Sequence, residues 1–235
     1  MANAKLFLLP VPLADETVHK TIPLHATSII NNLKTYIVEN EKTARRWLKE
    51  MGLQTPQSDL ILLPYGKHAD KTDISVYMKA LLAGEDVGLM SEAGCPGIAD
   101  PGAEIVALAH ANNIRVVPLT GPSSILLALM ASGFNGQSFT FHGYMPIDKM
   151  QRTNRLKELE NLSRRFNQTQ IFIETPFRNN QLLEEILKSC LPETLLCVAC
   201  NLTAHDEEII SQPVEKWRKA KIDFHKKPAI FLLFK

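Results

Sequence analysis

Short, uninterrupted apolar runs alternate with helical patterns through the first half of the chain. The runs occupy positions 6–11, 35–38, 60–63, 87–90 and 114–118. Such runs suit parallel strands that are covered on both faces. The segments 43–51 and 73–83 between them carry apolar residues at helical spacing, and a glycine follows each one. The alternation predicts an α/β domain with a doubly wound parallel sheet.

The second half of the chain carries strands in a different arrangement. Helical patterns at 125–131 and 150–166 come first. Apolar runs then follow at 170–174, 195–200, 208–210 and 229–234. This spacing predicts a mixed sheet and hence a second α/β domain. We expect domains at 1–118 and 119–235, since 235 residues with 45% hydrophobic side chains can build two cores.

Composition and the cysteine positions exclude several classes of protein. No stretch of about 18 uncharged apolar residues occurs, so we expect no membrane-spanning segment. The net charge of +1 gives no global attraction to polyanions. Four cysteines do not make a disulfide framework, which favours a reduced, cytoplasmic setting. The Cys197–Cys200 pair lies in an apolar run and is expected to be buried and inert, and we expect no metal site.

Two Gly-Pro-rich loops follow predicted strands and are candidate ligand sites. The first reads SEAGCPGIADPG at 91–102, where glycines let a backbone approach a ligand and prolines stiffen the loop. Loops at the carboxyl ends of parallel strands are where α/β sheets bind ligands. The second, PLTGPSSILLALMASG at 118–133, opens a helix on two serines, whose usual role is to cap the helix. The chain has no GxxxxGK[ST], GxGxxG or GxSxG motif, which disfavours phosphotransferases, dinucleotide-binding dehydrogenases and serine hydrolases.

Basic residues gather in the second half of the chain. They are Lys149, Arg152, Arg155, Lys157, Arg164, Arg165 and a further group at 216–227. Such a group is either a solvated face or a contact surface for a phosphate backbone. Among them, Arg152 and Arg155 could hold phosphates together with Arg178, while Phe141 or Tyr144 could stack on a base.

Several blocks in this order resemble one known family, the tetrapyrrole methylase-like (class III) S-adenosylmethionine-dependent methyltransferases. To the two loops above are added FTFHGYMP at 139–146, IFIETPFR at 171–178 and LTAHDEEI at 202–209. The resemblance implies two α/β domains (the tetrapyrrole methylase-like fold) with a cofactor cleft between them, and a homodimer. It also implies S-adenosyl-L-methionine as the cofactor. Within the family, the blocks are most similar to enzymes that methylate small-subunit ribosomal RNA, which implies ribosomal RNA as partner and a ribose 2′-hydroxyl as acceptor.

The resemblance also implies which residues form the site. The cofactor contacts would be Pro10, Pro12, Gly94, Cys95, Ile98, Ser123, Ser124, Ala199, Pro228 and Ala229. A hydroxyl acceptor needs its proton removed. The candidates for that base or for orienting the acceptor are Glu39, Lys42, His68, Glu174 and Arg178.

The substrate-side blocks depart from the family pattern. Glu39-Asn40-Glu41-Lys42 stands where the subfamily has Glu-Asp-Thr-Arg, and His68-Ala69-Asp70 stands where it has His-Asn-Glu. Two alternatives therefore stay open. One is methylation of a small tetrapyrrole-like molecule, and the other is a catalytically silent protein that binds S-adenosylmethionine.

Overall fold

The chain folds as two units, Met1–Ser123 and Ser124–Lys235, each built on its own five-stranded sheet. The computed structural model describes residues 4–66 and 75–235. Within those residues, no helix is long and apolar enough to cross a membrane.

The first unit is a parallel α/β sheet. Its strands are β1 (Lys5–Leu9), β2 (Thr35–Val38), β3 (Ile61–Pro64), β4 (Val87–Met90) and β5 (Arg115–Pro118). Its helices are α1 (Val18–Thr21), α2 (Leu24–Ile30), α3 (Glu41–Glu50), α4 (Ser75–Leu82) and α5 (Ala103–Ala111), with a 3-10 turn at Gln57–Asp59. The strands lie in the order β3-β2-β4-β1-β5, and every pairing is parallel. The predicted parallel sheet is confirmed.

Each face of this sheet is covered by a different pair of helices. Residues of α2 and α3 pack with Phe7 and Leu9, whereas residues of α4 and α5 pack with Leu6. The helices after β1 and β2 therefore cover one face, and the helices after β3 and β4 cover the other. The chain that leaves β1 passes to one face of the sheet, and the chain that leaves its neighbour β4 passes to the other face. α/β sheets bind ligands beyond the carboxyl ends of strands arranged in this way.

The second unit is a mixed sheet. Its strands are β6 (Phe139–Tyr144), β7 (Thr169–Ile173), β8 (Leu195–Cys200), β9 (Glu208–Pro213) and β10 (Ala229–Phe234). Its helices are α6 (Ser124–Ser132), α7 (Lys149–Phe166), α8 (Asn179–Ser189) and α9 (Val214–Trp217), with a 3-10 turn at Pro176–Arg178. The order is β6-β7-β10-β8-β9; β6 runs parallel to β7, and the other neighbours are antiparallel. The predicted mixed sheet is confirmed, while β6 and α8 are elements that the sequence patterns did not indicate.

The main core of the second unit lies under α7 and α8. Phe172 and Phe231 stack there with ring centroids 6.0 Å apart, and Cys200 packs in the same core. Cys197 is equally buried, and three residues along a strand place it on the other face. Burial raises the pKa of Cys197 to about 12 and also raises the pKa of Cys200. Both thiols are free and uncharged, as the sequence predicted, and the described residues hold no cluster of metal-ligating side chains.

A chain of polar contacts ties edge strand β6 to its neighbours. Arg155 of α7 donates to Nδ1 of His142 at 2.9 Å, because a guanidinium can only donate. The His142 Nε2–H then donates to Oε1 of Gln170 at 2.7 Å. Both ring nitrogens are thus used in the neutral form of His142.

We expect this chain of contacts to make the fold sensitive to mild acid. Burial lowers the pKa of His142, and the charge of Arg155 lowers it further, against the raising effects of Gln170 and Glu158. His142 therefore takes up a proton at a higher pH in the unfolded chain than in the folded chain. The contribution of neutral His142 to folding stability is present above about pH 6.5 and is lost as the pH falls. Urea unfolding from pH 7 to pH 5 should show a smaller loss of stability for His142→Gln than for the wild type. An equal loss of stability between pH 7 and pH 5 in the wild type and in His142→Gln would refute this role of His142.

Candidate functional site

Three loops meet at the carboxyl edge of the first sheet. The Val11 amide donates to the Gly94 carbonyl at 2.9 Å, and the Gly94 amide donates back to Val11 at 3.1 Å. The Cys95 thiol lies 3.3 Å from the Pro122 carbonyl oxygen. The loops that follow β1, β4 and β5 are therefore joined by direct contacts at the carboxyl ends of these strands. This arrangement brings together the predicted cofactor residues Pro10, Pro12, Gly94 and Cys95.

The loops after β1 and β5 touch so closely that one position must be glycine. A Cβ atom added to Gly121 would lie 2.2 Å from Cβ and 2.3 Å from Cγ of Pro10. Real Cβ atoms never approach other carbons so closely, and the proline ring has no rotamer to move aside. Gly121 and Pro10 together form a rigid floor at this edge.

The loop after β4 has a strained and accessible turn. Gly97 has φ +77°, and a Cβ added there would meet no atom within 4 Å. Ala99 adopts φ +64°, a conformation that residues other than glycine seldom take, and Ile98 between them is 53% exposed. The indole Nε1–H of Trp47 donates to the Glu92 carbonyl at 3.0 Å and anchors the start of the loop. Strain held in place by surrounding contacts is common where a backbone is shaped for a ligand.

These features fit a cofactor that is gripped through main-chain atoms. The predicted contacts of this unit are prolines, a glycine, a cysteine, an isoleucine and a serine, so none carries a formal charge. Burial raises the pKa of the Cys95 thiol, so the loop presents no thiolate. Burial also raises the pKa of Asp100, with a smaller contribution from the charge of Glu92. Stiff loops with close backbone approaches and few charges suit S-adenosylmethionine as the sequence resemblance implies it is bound.

Two of the candidate catalytic residues follow β2 at the same edge. Glu39 is half-buried, and its Cγ lies 3.9 Å from a Cβ built on Gly66, which itself lies beside Pro101 of the β4 loop. Lys42 is exposed in the first turn of α3. His68 lies outside the described residues. The carboxyl edge of the first sheet therefore carries two of the five candidates.

The second unit brings four further candidates together at one edge of its own sheet. Register pairs Ala229 with Cys200 and Ile230 with Ile173, so β7 and β8 end where β10 begins. The Asn201 amide donates to the Pro228 carbonyl at 3.0 Å. Glu174, Arg178, Pro228 and Ala229 therefore lie near one another at this edge. Ala199 lies in β8, 1% exposed and opposite Ile230, and Ser124 is the first residue of α6.

Glu174 is held by three hydrogen bonds at this edge. Its side chain is buried, and Oε1 accepts hydrogen bonds from Arg178 Nε at 3.0 Å, Arg178 Nη2 at 2.5 Å and the Thr175 amide at 2.7 Å. Glu174 therefore positions the 3-10 turn that carries Arg178.

The expectation that Arg152 holds a phosphate is wrong. Its side chain is 2% exposed and pairs with Glu185 through bonds of 2.5 Å and 2.6 Å. The same guanidinium donates to the carbonyls of Pro146 at 3.0 Å and Ile147 at 2.7 Å. Arg152 therefore ties the loop after β6 to α8. Burial of so polar a residue depends on a partner 33 positions away, which helical spacing does not reveal.

One exposed aromatic residue at this edge was not singled out from the sequence. Phe177, in the 3-10 turn after β7, is 69% exposed, and its ring contacts His225 edge-on with centroids 6.1 Å apart. The sequence feature that could have indicated Phe177 is the position of an aromatic residue directly before an arginine in TPFR.

Three known proteins that are similar to this chain in sequence carry the same printed name. One is "Ribosomal RNA small subunit methyltransferase I" of Vibrio cholerae, 29% identical over 209 residues, with 89% of this chain and 68% of that protein covered. The protein of the same name from Pseudomonas aeruginosa is 29% identical over 91% of this chain and 72% of its own length. The one from Mesorhizobium japonicum is 31% identical over 87% of this chain and 65% of its own length.

Solved structures with the same fold include two methyltransferases. The methyltransferase CobJ superposes with a TM-score of 0.65 at 16% identity, covering 100% of this chain and 95% of that one. Uroporphyrin III C-methyl transferase from Thermus thermophilus gives 0.59 at 14% identity, covering 99% and 98%. The family model for Tetrapyrrole (Corrin/Porphyrin) Methylases matches residues 23–217. The fold and the family expected from the sequence are confirmed, and the chain belongs to the tetrapyrrole (corrin/porphyrin) methylases.

Proposed function

We propose that this protein transfers a methyl group from S-adenosylmethionine to a ribose 2′-oxygen of small-subunit ribosomal RNA. The observation that carries the proposal is the set of joined loops at the carboxyl edge of the first sheet, in a chain that belongs to a methylase family. The printed names of its relatives in sequence support ribosomal RNA as the acceptor. The six lysine or arginine residues at 216–227, in the segment before β10, support a polyanionic acceptor as well.

The cofactor is assigned to the loops after β1, β4 and β5. Pro10, Pro12, Gly94, Cys95, Ile98 and Ser123 would hold it in the first unit. Ser124, Ala199, Pro228 and Ala229 are the contacts that the family resemblance implies for the second unit. When bound, S-adenosylmethionine supplies an electrophilic methyl group on a sulfonium. Rigid loops that fix the reactants in line supply a large share of the rate of such a transfer.

Three residues of the chain are candidates to accept the ribose proton, to contact a phosphate and to orient the RNA. Glu39 is our candidate to accept the ribose proton, because it is a half-buried carboxylate that follows β2 at the same edge. Lys42, exposed beside it, would contact a phosphate. Arg178 is 29% exposed while bonded to Glu174, and it would orient the RNA from the second unit. We place the protein in the cytoplasm, where ribosomes are modified, and expect a homodimer that sedimentation can test.

The proposal is tested by a methyl-transfer assay with labelled S-adenosylmethionine. The acceptor is small-subunit ribosomal RNA from a strain that lacks the gene, with a porphyrin precursor as a parallel acceptor. We expect label in the RNA, recovered as a 2′-O-methyl nucleoside after digestion. Label in the porphyrin precursor alone would favour a small-molecule methyltransferase. Label in neither acceptor, despite cofactor binding, would favour a silent binding protein.

The placement of the cofactor predicts a selective loss of binding in Ser123→Trp. An indole at this half-buried position would occupy the space beside the joined loops, so the Kd for S-adenosylmethionine should rise roughly 100-fold, equivalent to about 2.7 kcal/mol. Ser58→Trp is the matched control, since Ser58 is exposed in the 3-10 turn before β3, at the opposite edge of the sheet. Equal affinity in Ser123→Trp and Ser58→Trp, measured by calorimetry, would remove the assignment.

A further inference from the structure

We propose that Phe177 is a stacking platform for an unpaired nucleobase of the RNA substrate, with Lys226 and Lys227 contacting the adjoining phosphates. The inference rests on the proposed function and names the part of the second unit that grips the acceptor. The Phe177 ring is 69% exposed and is therefore accessible to an incoming base.

Hydrogen bonds fix the backbone on both sides of Phe177. It lies in the 3-10 turn Pro176–Arg178, where the Arg178 amide donates to the Thr175 carbonyl at 2.8 Å. The buried Glu174 carboxylate fixes both ends of this turn through Thr175 and Arg178. Because the backbone is already ordered, an incoming base need not supply the entropy of ordering a loop.

A second segment of the chain is fastened beside this turn. The Lys226 amide donates to the Pro176 carbonyl at 3.0 Å, and the Asn179 amide group donates to the Lys227 carbonyl at 2.6 Å. The same segment places His225 edge-on to the Phe177 ring. Two lysines and an aromatic pair are therefore brought to one place by main-chain contacts.

The charge of this segment matches a nucleic acid. Positions 216–227 contain six lysine or arginine residues and a single acidic residue, Asp223. The Asp223 carboxylate is occupied by the Asn180 amide at 2.6 Å and the His225 backbone amide at 2.8 Å. An exposed ring flanked by cations is how proteins bind unpaired bases, because every base has a face to stack and a phosphate beside it.

Phe166 provides a matched control within the same unit. It is 53% exposed at the end of α7, the helix that begins after β6 and ends before β7, and so lies at the opposite edge of the sheet from Phe177. The guanidinium carbon of the neighbouring Arg165 lies 5.1 Å from its ring centroid. Removing Phe166 thus deletes an exposed phenylalanine beside a cation without touching the proposed platform.

The test measures binding of a labelled single-stranded RNA oligonucleotide by fluorescence anisotropy at several salt concentrations. Phe177→Ala should raise the Kd roughly 10-fold, Phe177→Tyr should restore it, and Phe166→Ala should leave it unchanged. Against an oligomer of the same length made of abasic sugars, Phe177→Ala should bind as the wild type does. The double variant Lys226→Gln/Lys227→Gln should reduce the slope of log K against log salt by about 1.4, the value for two phosphates, while Phe177→Ala leaves the slope unchanged.

The outcomes separate this inference from the proposed function. Calorimetry with S-adenosylmethionine on Phe177→Ala shows whether the fold and the cofactor site are intact. If the wild type binds and methylates RNA while Phe177→Ala matches Phe166→Ala, the platform is wrong and the proposed function stands. If the wild type neither binds nor methylates RNA, the proposed function fails and takes the platform with it.

Discussion

Replacing Gly121 by alanine is expected to abolish binding of S-adenosylmethionine and to destabilise the first unit by about 3 kcal/mol, the upper end for overpacking. The added Cβ would lie 2.2 Å from Cβ of Pro10, so one of the two loops must move. Neither loop can move alone, because the β1 loop is bonded to Gly94 and the β5 loop contacts Cys95. The displacement would therefore spread through the whole candidate site. Calorimetric titration and thermal unfolding measure the two effects.

Gly136→Ala is the control for this substitution. Gly136 has no atom within 4 Å of a built Cβ and no positive φ, so alanine should change the stability by no more than about 1 kcal/mol. Cofactor binding should be unchanged. Wild-type affinity and melting temperature in Gly121→Ala would show that the loops are not packed as described.

Removing one partner of the Arg152–Glu185 pair is expected to have the largest effect on the second unit. Arg152→Met leaves the Glu185 carboxylate buried without its guanidinium, which typically costs about 3–5 kcal/mol. It also frees the carbonyls of Pro146 and Ile147 at the end of the β6 loop. Urea unfolding should show a clearly lower midpoint for this variant.

The double variant Arg152→Met/Glu185→Leu distinguishes a buried charge from lost packing. Apolar residues of similar volume often replace a buried ion pair at little cost, so the double variant should regain most of the stability. The exposed pair of Lys188 and Glu184, 3.2 Å apart, gives the control Glu184→Gln, with an expected change below about 0.5 kcal/mol. If Arg152→Met is no less stable than Glu184→Gln, the buried pair does not hold this unit together.

Much of the fold was readable from the sequence where burial on both faces leaves a continuous apolar run. The runs at 35–38, 87–90, 195–200 and 229–234 coincide with β2, β4, β8 and β10. These strands lie inside their sheets, with a neighbour on each side. Strand β6 was missed because it is an edge strand whose residues are all partly or fully exposed and include a glycine. Helix α8 was missed because it follows Pro176 and opens on two asparagines, a combination typical of loops.

The candidate site could be predicted in part from the positions of glycine and proline in the sequence. Glycine and proline in 91–102 and 118–122 predict close backbone approaches, and Gly121 makes one. The sequence does not say which atoms approach, because Pro10 is distant in the chain and is brought there by the pairing of β1 with β5. Charged side chains were harder still. Arg152 and Arg178 look alike in sequence, yet the first is buried against Glu185 and the second is partly exposed beside Glu174.

We expect the joined loops of the first sheet to hold S-adenosylmethionine, and a calorimetric titration of the purified protein measures this binding. We expect saturable heat for S-adenosylmethionine and for its demethylated product, with one site per chain, retained in Gly136→Ala and lost in Gly121→Ala. Absence of heat from both nucleosides, with the wild type folded by circular dichroism, would contradict the claim.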